Sequence, residues 1–328
     1  MEQTAAGQDQ VAGRSAPDQR AAVQCIDDAG QFHFEALLRL PAGQVGQPVD
    51  AAFFAEVDPA LASPAFFAAV QRAQGPVSAY YLLASVDLAH DAQGAIVRAD
   101  ESSRIYLEVL GRTLGISLSV TLLCLAMGFP VALLLTQVQQ RTADWLLVLV
   151  LLPFWTSLLV RTAAWVVVLQ KEGMVNSLLL KLGLIAEPLA LLYNRTGVLV
   201  AMTHVLLPFM ILPLYTVLRD IPPQYLRAAT SLGAPPALAF RRVYLPLAAP
   251  GVAAGSLMVF ILALGYYITP ALVGGGADQM LSAFVATYTT DTGNWGLAAA
   301  LGALLLATTG VLYAAAHKLS GGRVMAMG

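Results

Sequence analysis

The residue types that carry enzyme chemistry are scattered along this chain of 328 residues. Its four histidines are far apart, and no HExxH or CxxC spacing brings metal ligands or a redox pair together. The glycine run at 274–276 is followed by Ala-Asp-Gln, not by the Lys-Ser/Thr of a phosphate-binding loop. Two cysteines, Cys25 and Cys124, are too few for a disulfide framework. The sequence therefore predicts neither an enzyme nor a metal site, so ATP-driven work would need another chain.

Recognition chemistry is concentrated instead in residues 226–246, which read LRAATSLGAPPALAFRRVYLP between two apolar runs. Good helix formers lead up to Gly233, which suits the left-handed position that ends a helix. Pro235 and Pro236 suit the first turn of a second helix, where a missing backbone donor costs nothing. The pattern predicts two short helices that meet at an angle. Taken alone, it fits an ordinary connector as well as a docking element.

Composition identifies the class of protein to which these residues belong. The mean hydropathy is +0.69, and 12% of the residues are charged, against roughly 25% in soluble domains. The charge is divided unevenly along the chain. Residues 1–104 carry six arginines, no lysine and thirteen acidic residues, a formal charge of −7, while twelve basic and seven acidic residues give the rest +5. The sequence predicts an integral membrane protein with an acidic N-terminal segment.

Five apolar stretches approach the length of about 20 residues that a helix needs to cross a bilayer. They are residues 110–135, 145–169, 196–218, 251–273 and 295–316. Prolines inside several of them are tolerable where neighbouring helices cover the freed carbonyl groups, which favours a packed bundle. We therefore predict an all-α integral membrane protein with five transmembrane helices. Residues 1–104 form a partly disordered segment outside the membrane, and 319–328 form a cytoplasmic tail.

The lysines and arginines of the short loops predict the orientation. Cytoplasmic segments would be the loop with Arg219, Arg227, Arg241 and Arg242, the link with Arg141, and the C-terminal end with Lys318 and Arg323. The links at 170–195 and 274–294 would lie outside, with short interfacial helices at 178–185 and 280–288, although Lys171, Lys181 and Arg195 then lie on the outer side. Five spans also place residues 1–104 outside without a signal peptide before them. We expect that a preceding span is missing, through a misplaced start, a truncation or a loss.

The segment at 226–246 resembles the signature of ABC-importer permeases, in which Glu-Ala-Ala, three residues, Gly and nine residues precede Ile-x-Leu-Pro. The matching positions here are Arg227, Ala228, Ala229, Gly233, Val243, Leu245 and Pro246. Arg227 reverses the charge of the family's Glu. Blocks at 153–165, 207–215, 260–275 and 293–301 resemble the spermidine/putrescine permease branch. The similarity covers about residues 105–316 and is stronger for the family than for the solute. The family has six spans, which agrees with a missing one here.

The resemblance implies a permease domain at 105–318 whose coupling loop, 219–248, docks on a dimer of ABC ATPase subunits. ATP and Mg would bind to those subunits, and this chain would bind no cofactor. The other implied partners are a second permease subunit, a periplasmic solute-binding protein and the lipid of a bacterial inner membrane; no nucleic acid is expected. The implied solute is small, with a polyamine such as spermidine or putrescine as the first candidate. The alternatives are an ATP-independent carrier, which would need intramembrane acids to couple to ions, and a truncated or inactive membrane scaffold.

Polar and aromatic side chains near the proline-broken segments are candidates for the solute pathway. They are Trp155, Thr156, Arg161, Trp165, Tyr266, Tyr267 and Thr269. Aromatic faces can hold a cation, but the same residues would also suit an interfacial belt or helix packing. Arg161 would either anchor its helix at the outer interface or line a cavity. A lining cation would repel a polyamine, which favours the anchoring role.

Overall fold

A computed structural model describes residues 79–91, 94–101 and 103–319. These residues belong to two units that divide between Ile105 and Tyr106. The first contains helix α1 (Tyr80–Ala84) and a hairpin in which β1 (Leu88–His90) pairs antiparallel with β2 (Ile96–Arg98). The predicted disorder near the start of the chain and the last part of the C-terminal tail lie outside the described residues.

The second unit is helical over most of its described length. Its helices are α2 (Tyr106–Gln137), α3 (Gln140–Leu151), α4 (Leu158–Leu169), α5 (Met174–Lys181), α6 (Arg195–Arg219), α7 (Gln224–Ser231), α8 (Pro236–Ala239), α9 (Leu245–Leu264), α10 (Ile268–Val273), α11 (Leu281–Thr290) and α12 (Trp295–Leu319). Among the residues that the structure describes, four helical segments are long and apolar enough to cross a membrane, namely Tyr106–Gln137, Arg195–Arg219, Pro236–Leu264 and Trp295–Ala315. The all-α membrane fold predicted from the sequence is confirmed.

The predicted second span, 145–169, is not one straight helix. Its two halves, Gln140–Trp155 and Leu158–Lys181, meet at an angle of 93° and form a broken span or a re-entrant loop. Pro153 opens a tight 3₁₀ turn because it lacks a backbone donor, and Thr156 and Ser157 then adopt extended ψ angles of 145° and 141°. The second predicted crossing is therefore a bent pair of helices, while the other four are continuous helices.

The predicted fourth span, 251–273, is shifted toward the N-terminus. We call residues 226–246 the docking segment. The fourth span begins at Pro236, where the second helix of the docking segment runs into α9 through a π turn at Phe240–Tyr244. It ends at Leu264, followed by Gly265, and residues 268–273 form the separate helix α10. The two short helices predicted around the bend do form, but the second is continuous with a membrane span. Short helices also form in the two links predicted to lie outside. Helix α11 lies close to the predicted 280–288, whereas α5 begins before the predicted 178–185 and ends at Lys181.

Helices α2, α6 and α9 pack against each other around Met210, which is fully buried in α6. Glycines make this close approach possible. A Cβ on Gly128 of α2 would lie 3.0 Å from Cγ of Met210, and a Cβ on Gly255 of α9 would lie 2.9 Å from its Sδ. One turn away, a Cβ on Gly251 would lie 2.8 Å from Cβ of Val217. The three helices therefore form the rigid centre of the domain.

One of the residues that fit the orientation rule poorly forms an ion pair. Arg195, at the start of α6, donates through Nε to Oδ1 of Asp278 at 3.3 Å. The carboxylate side chain is 12% exposed, so the pair is partly shielded from water. The pair satisfies the guanidinium at the start of α6. Because the orientation rule counts basic residues and not net charge, Arg195 still fits that rule poorly.

We predict that Gly255→Leu lowers the thermal stability of the purified protein in detergent. The added side chain has no room beside Met210, and overpacking of this kind costs about 1–3 kcal/mol. The unfolding midpoint should fall in a thermal scan. The control is Gly115→Leu in α2, because a Cβ there meets no atom within 4 Å. Equal midpoints for the two variants would contradict the packing described here.

Candidate functional site

The docking segment ends its first helix at the predicted glycine. Gly233 has a φ angle of +86°, in the left-handed region where a side chain is strained. The backbone N–H of Ala234 donates to the carbonyl oxygen of Ala229 at 3.1 Å, which satisfies a carbonyl at the helix end. No other atom lies within 4 Å of a Cβ built on Gly233. The glycine is required here by the backbone turn and not by crowding.

Helix α7 exposes almost its whole surface. None of its residues is buried. Leu226 is its attachment to the core, where it is partly buried together with Ile221. Arg227 and Ala228 are exposed and Ala229 is half-buried. Leu232, directly after the helix, is 89% exposed. An apolar side chain held in the open beside a short helix is typical of a surface that another molecule covers.

The π turn at Phe240–Tyr244 connects this segment to the helical core. The ring of Phe240 stacks on Tyr244 with centroids 5.5 Å apart and meets Phe129 of α2 edge-on at 6.2 Å. Tyr244 is 6% exposed and Val243 is half-buried, while Leu245 and Pro246 are exposed. Such π turns inside helices often occur at functional sites. The predicted coupling residues thus lie in one segment that is exposed at one end and fixed to α2 at the other.

A second group of polar side chains lies between α4, α6 and α10. Trp165 of α4 donates through Nε1 to Nδ1 of His204 in α6 at 3.2 Å, and their rings meet edge-on with centroids 5.4 Å apart. His204 is exposed although α6 is the most buried of the four continuous spans. The imidazole is thus held in a fixed position on an open side of the domain.

Two buried hydroxyl groups join this group to the chain break between α9 and α10. Oγ1 of Thr162 and Oγ1 of Thr269 are 3.1 Å apart, and both residues are 0% exposed. The hydroxyl of Thr162 also donates to the carbonyl oxygen of Leu158 at 3.0 Å. The Tyr266 side chain hydrogen-bonds that of Thr269. These contacts fix the orientation of Tyr266 relative to α4.

Arg161 gives the group its charge. Its guanidinium lies within electrostatic range of His204 and Tyr266. Its Nε is buried without a hydrogen-bond partner, and no carboxylate among the described residues forms an ion pair with it. The result is a polar cluster that we define as Arg161, Thr162, Trp165, His204, Tyr266 and Thr269. The cluster combines hydroxyl and aromatic groups with one cation that has no ion-pair partner among the described residues.

The structure brings together four of the seven pathway candidates and leaves three apart. Arg161, Trp165, Tyr266 and Thr269 belong to the polar cluster. Trp155 is 90% exposed and Thr156 hydrogen-bonds only the nearby carbonyl oxygen of Pro153, at 2.7 Å. Tyr267 is 43% exposed. No hydrogen bond or ring contact within the described ranges joins the side chains of these three residues to the cluster.

Sequence reasoning missed His204 and Thr162. His204 lies within the predicted third span, where an ionisable side chain in an apolar helix is itself an indication of function. The spacing of the histidines argues only against a metal site, so it gives no indication of a role for His204. Thr162 directly follows Arg161, so it could have been included on the same grounds. Its pairing with Thr269, 107 residues later, was not predictable from spacing.

The sequence and the fold of this chain are similar to those of known transport proteins. Residues 127–325 match the family described as "Binding-protein-dependent transport system inner membrane component". The spermidine/putrescine transport system permease protein PotB of Haemophilus influenzae is 34% identical over 66% of this chain and 76% of its own length. PotB of Escherichia coli is 32% identical over 63% of this chain and 76% of its own length. A chain of a bacterial ABC transporter involved in the import of alginate has the same fold. Its TM-score is 0.57 at 17% identity, over 84% of this chain and 96% of its own.

We predict that Thr162→Val and Thr269→Val each destabilise the protein by about 1–3 kcal/mol, because each leaves the other buried hydroxyl with one fewer partner. The double variant should be less destabilised than the two single effects combined. Thermal midpoints of all four proteins, measured as a double-mutant cycle, give the coupling energy. Strict additivity would contradict the hydrogen bond between the two residues.

Proposed function

The chain belongs to the family of binding-protein-dependent transport system inner membrane components, and we propose that it provides one half of the solute path in its importer. Members are permeases of ABC importers that work with an ATPase and a periplasmic binding protein. The chain is accordingly a multi-pass inner membrane protein and not an enzyme; ATP hydrolysis belongs to a separate subunit. The other half of the path would come from a second permease subunit.

The observation that carries this proposal is the form of the docking segment. It is exposed around α7, turns at Gly233, and continues without interruption into a membrane span through Pro236–Leu264. A dimer of ATPase subunits would dock on Arg227, Ala228, Ala229 and Gly233. Val243, Leu245 and Pro246 would carry the displacement into α9. ATP and Mg would bind to the ATPase subunits, with no cofactor on this chain.

The polar cluster would line the path on the side that faces the second permease subunit. The exposed position of His204 supports this, because an imidazole facing only lipid would be costly. Alternating access requires that ATP bind one conformation of the assembly better than the other. The ring and hydroxyl groups of Trp165, Tyr266 and Thr269 would then be presented to the two sides of the membrane in turn.

A polyamine is the solute that we propose, because the relatives carry spermidine/putrescine in their names. The faces of Trp165 and Tyr266 can attract an ammonium group. Arg161 opposes a cation at the same place, so the cluster favours passage of the solute over tight binding. Such a balance suits a pathway, since a solute that binds too well leaves slowly.

An ATP-independent carrier remains the alternative with a physical basis, but it would need an acidic residue inside the membrane. The described segments Arg195–Arg219, Pro236–Leu264 and Trp295–Ala315 contain no Asp or Glu. Glu108 and Asp144 lie near the start of α2 and α3, respectively, and not in the middle of a span. The pattern of charges thus favours ATP-driven transport.

We predict that the assembled importer, reconstituted in vesicles with its binding protein, accumulates labelled spermidine or putrescine only when ATP is supplied. A proton or sodium uncoupler should leave the uptake unchanged. Uptake that survives ATP depletion but stops with the uncoupler would indicate a carrier. ATP hydrolysis that does not respond to loaded binding protein would indicate an inactive scaffold.

We predict that Gly233→Val abolishes most ATP-driven uptake while the protein still inserts in the membrane. A β-branched residue at φ +86° is strained by about 1–2 kcal/mol, which is enough to shift a two-state equilibrium by about 5- to 30-fold. Initial uptake rates and the amount of membrane-inserted protein are the measurements.

The matched control is Gly183→Val, in the link on the outer side. Gly183 has a φ angle of +67° and, like Gly233, no atom within 4 Å of a built Cβ. Both variants therefore introduce the same kind of strain without a clash. Uptake should be retained in the control, and unchanged uptake in Gly233→Val would remove the proposed role of the docking segment.

A further inference from the structure

The surface around α7 carries an excess of exposed positive charge. Residues 219–246 include four arginines and a single carboxylate, and all five side chains are exposed. The residues are Arg219, Asp220, Arg227, Arg241 and Arg242. None of these arginines forms an ion pair with a carboxylate in the described part of the chain. We define these four arginines, with the exposed apolar residues Tyr225, Leu232 and Leu238, as the cationic docking surface.

Arg227 occupies a fixed place on this surface. Its neighbour Leu226 is partly buried against the core, which turns the Arg227 side chain toward solvent. Helix α7 packs beside the π turn that contains Arg241 and Arg242. Three guanidinium groups are therefore carried by two adjoining pieces of backbone, both of which are anchored in the helical core. The charge does not depend on a flexible tail.

The tendency of cytoplasmic loops to be basic explains positive charge near the lipid headgroups. It does not explain the apolar side chains that accompany this charge. Tyr225 is 48% exposed and Leu232 is 89% exposed. Helix α7, at eight residues, also lacks the long apolar face of a helix that lies in a membrane interface. A protein surface with apolar and acidic groups would match the docking surface better than a lipid surface.

We propose that the ATPase subunit which docks on this chain presents an acidic groove, with a carboxylate facing Arg227. This proposal rests on the proposed function, because it assigns the docking surface to an ATPase. It adds the sign of the interaction. The signature that this segment resembles has Glu at the position of Arg227, and a Glu would call for a basic partner. Arg227 requires an acidic partner. The pair would determine which ATPase this permease accepts, since like charges in contact are unfavourable.

The test uses the full chain, coexpressed with its ATPase subunit and purified in detergent through a tag on the chain. The amount of ATPase that is retained is measured for the wild type, Arg227→Gln and Arg227→Glu. We expect about tenfold less retention or more for Arg227→Glu, with a smaller loss for Arg227→Gln. The wild-type complex should also weaken from about 0.1 M to about 1 M salt, where the Debye length falls from about 10 Å to about 3 Å.

The control is Lys181→Glu, which makes the same charge reversal at an exposed cation at the end of α5. It should leave ATPase retention unchanged. Lysine substitutions of single carboxylates in the ATPase should include one that restores binding to Arg227→Glu while weakening binding to the wild type. Such a charge exchange distinguishes a direct pair from a general effect on stability.

Two results would overturn the acidic groove, and they differ from a failure of the proposed function. One is that Arg227→Glu retains the ATPase as well as the wild type does, independently of salt. The other is that the substitution leaves ATPase retention unchanged but weakens binding to vesicles with anionic phospholipid, which would make lipid the occupant. If the wild type retains no ATPase at all, the proposed function fails first, and this inference fails with it.

Discussion

The close approach of three helices at Met210 is the constraint on which the rest of the domain depends. A methionine side chain fills the space between Gly128 and Gly255, which leave no room for a side chain of their own. In a membrane the hydrophobic effect does not drive helices together, so close packing of small residues must supply much of the association. Because α6 lies between α2 and α9, these helices can shift appreciably only as one body, unless this contact is broken.

Because this centre is rigid, a displacement of the docking segment would be passed on to the membrane helices. Helix α9 is continuous from Pro236, so a displacement at the bend cannot be absorbed by a flexible loop before it reaches the span. Within the described segment Pro236–Leu264, a π turn lies between the short helix α8 and α9. The rings of Phe240 and Tyr244 pack this turn against α2. A push on α7 would therefore reach two of the three central helices at once.

The sequence predicted the features of the fold that depend on local chemistry, and it predicted poorly those that depend on where the chain bends. Gly233 was identified because a left-handed residue at a helix end is nearly specific for glycine. The second span was predicted as one piece because hydropathy sums apolar residues over a window, and a right-angled break at Thr156 does not change that sum. The fourth span was shifted for a related reason. The polar residues around Arg241 looked like a loop, although the backbone there remains helical.

The candidate site divides in the same way. Residues 227–246 lie close in sequence, so their spacing was sufficient to group them. The polar cluster is assembled across three helices, and only the folded chain reveals that Thr162 meets Thr269 or that Trp165 meets His204.

The surroundings of Arg161 bear on its two predicted roles, which are to anchor α4 at the interface or to line the solute path. Its Nε is buried without a hydrogen-bond partner, and its guanidinium lies within electrostatic range of His204 and Tyr266. An unpaired charge of this kind costs about 2.5–3.5 kcal/mol in a span, and a water-filled path beside it would lower that cost. The lining role and the anchoring role of Arg161 both stay predictions.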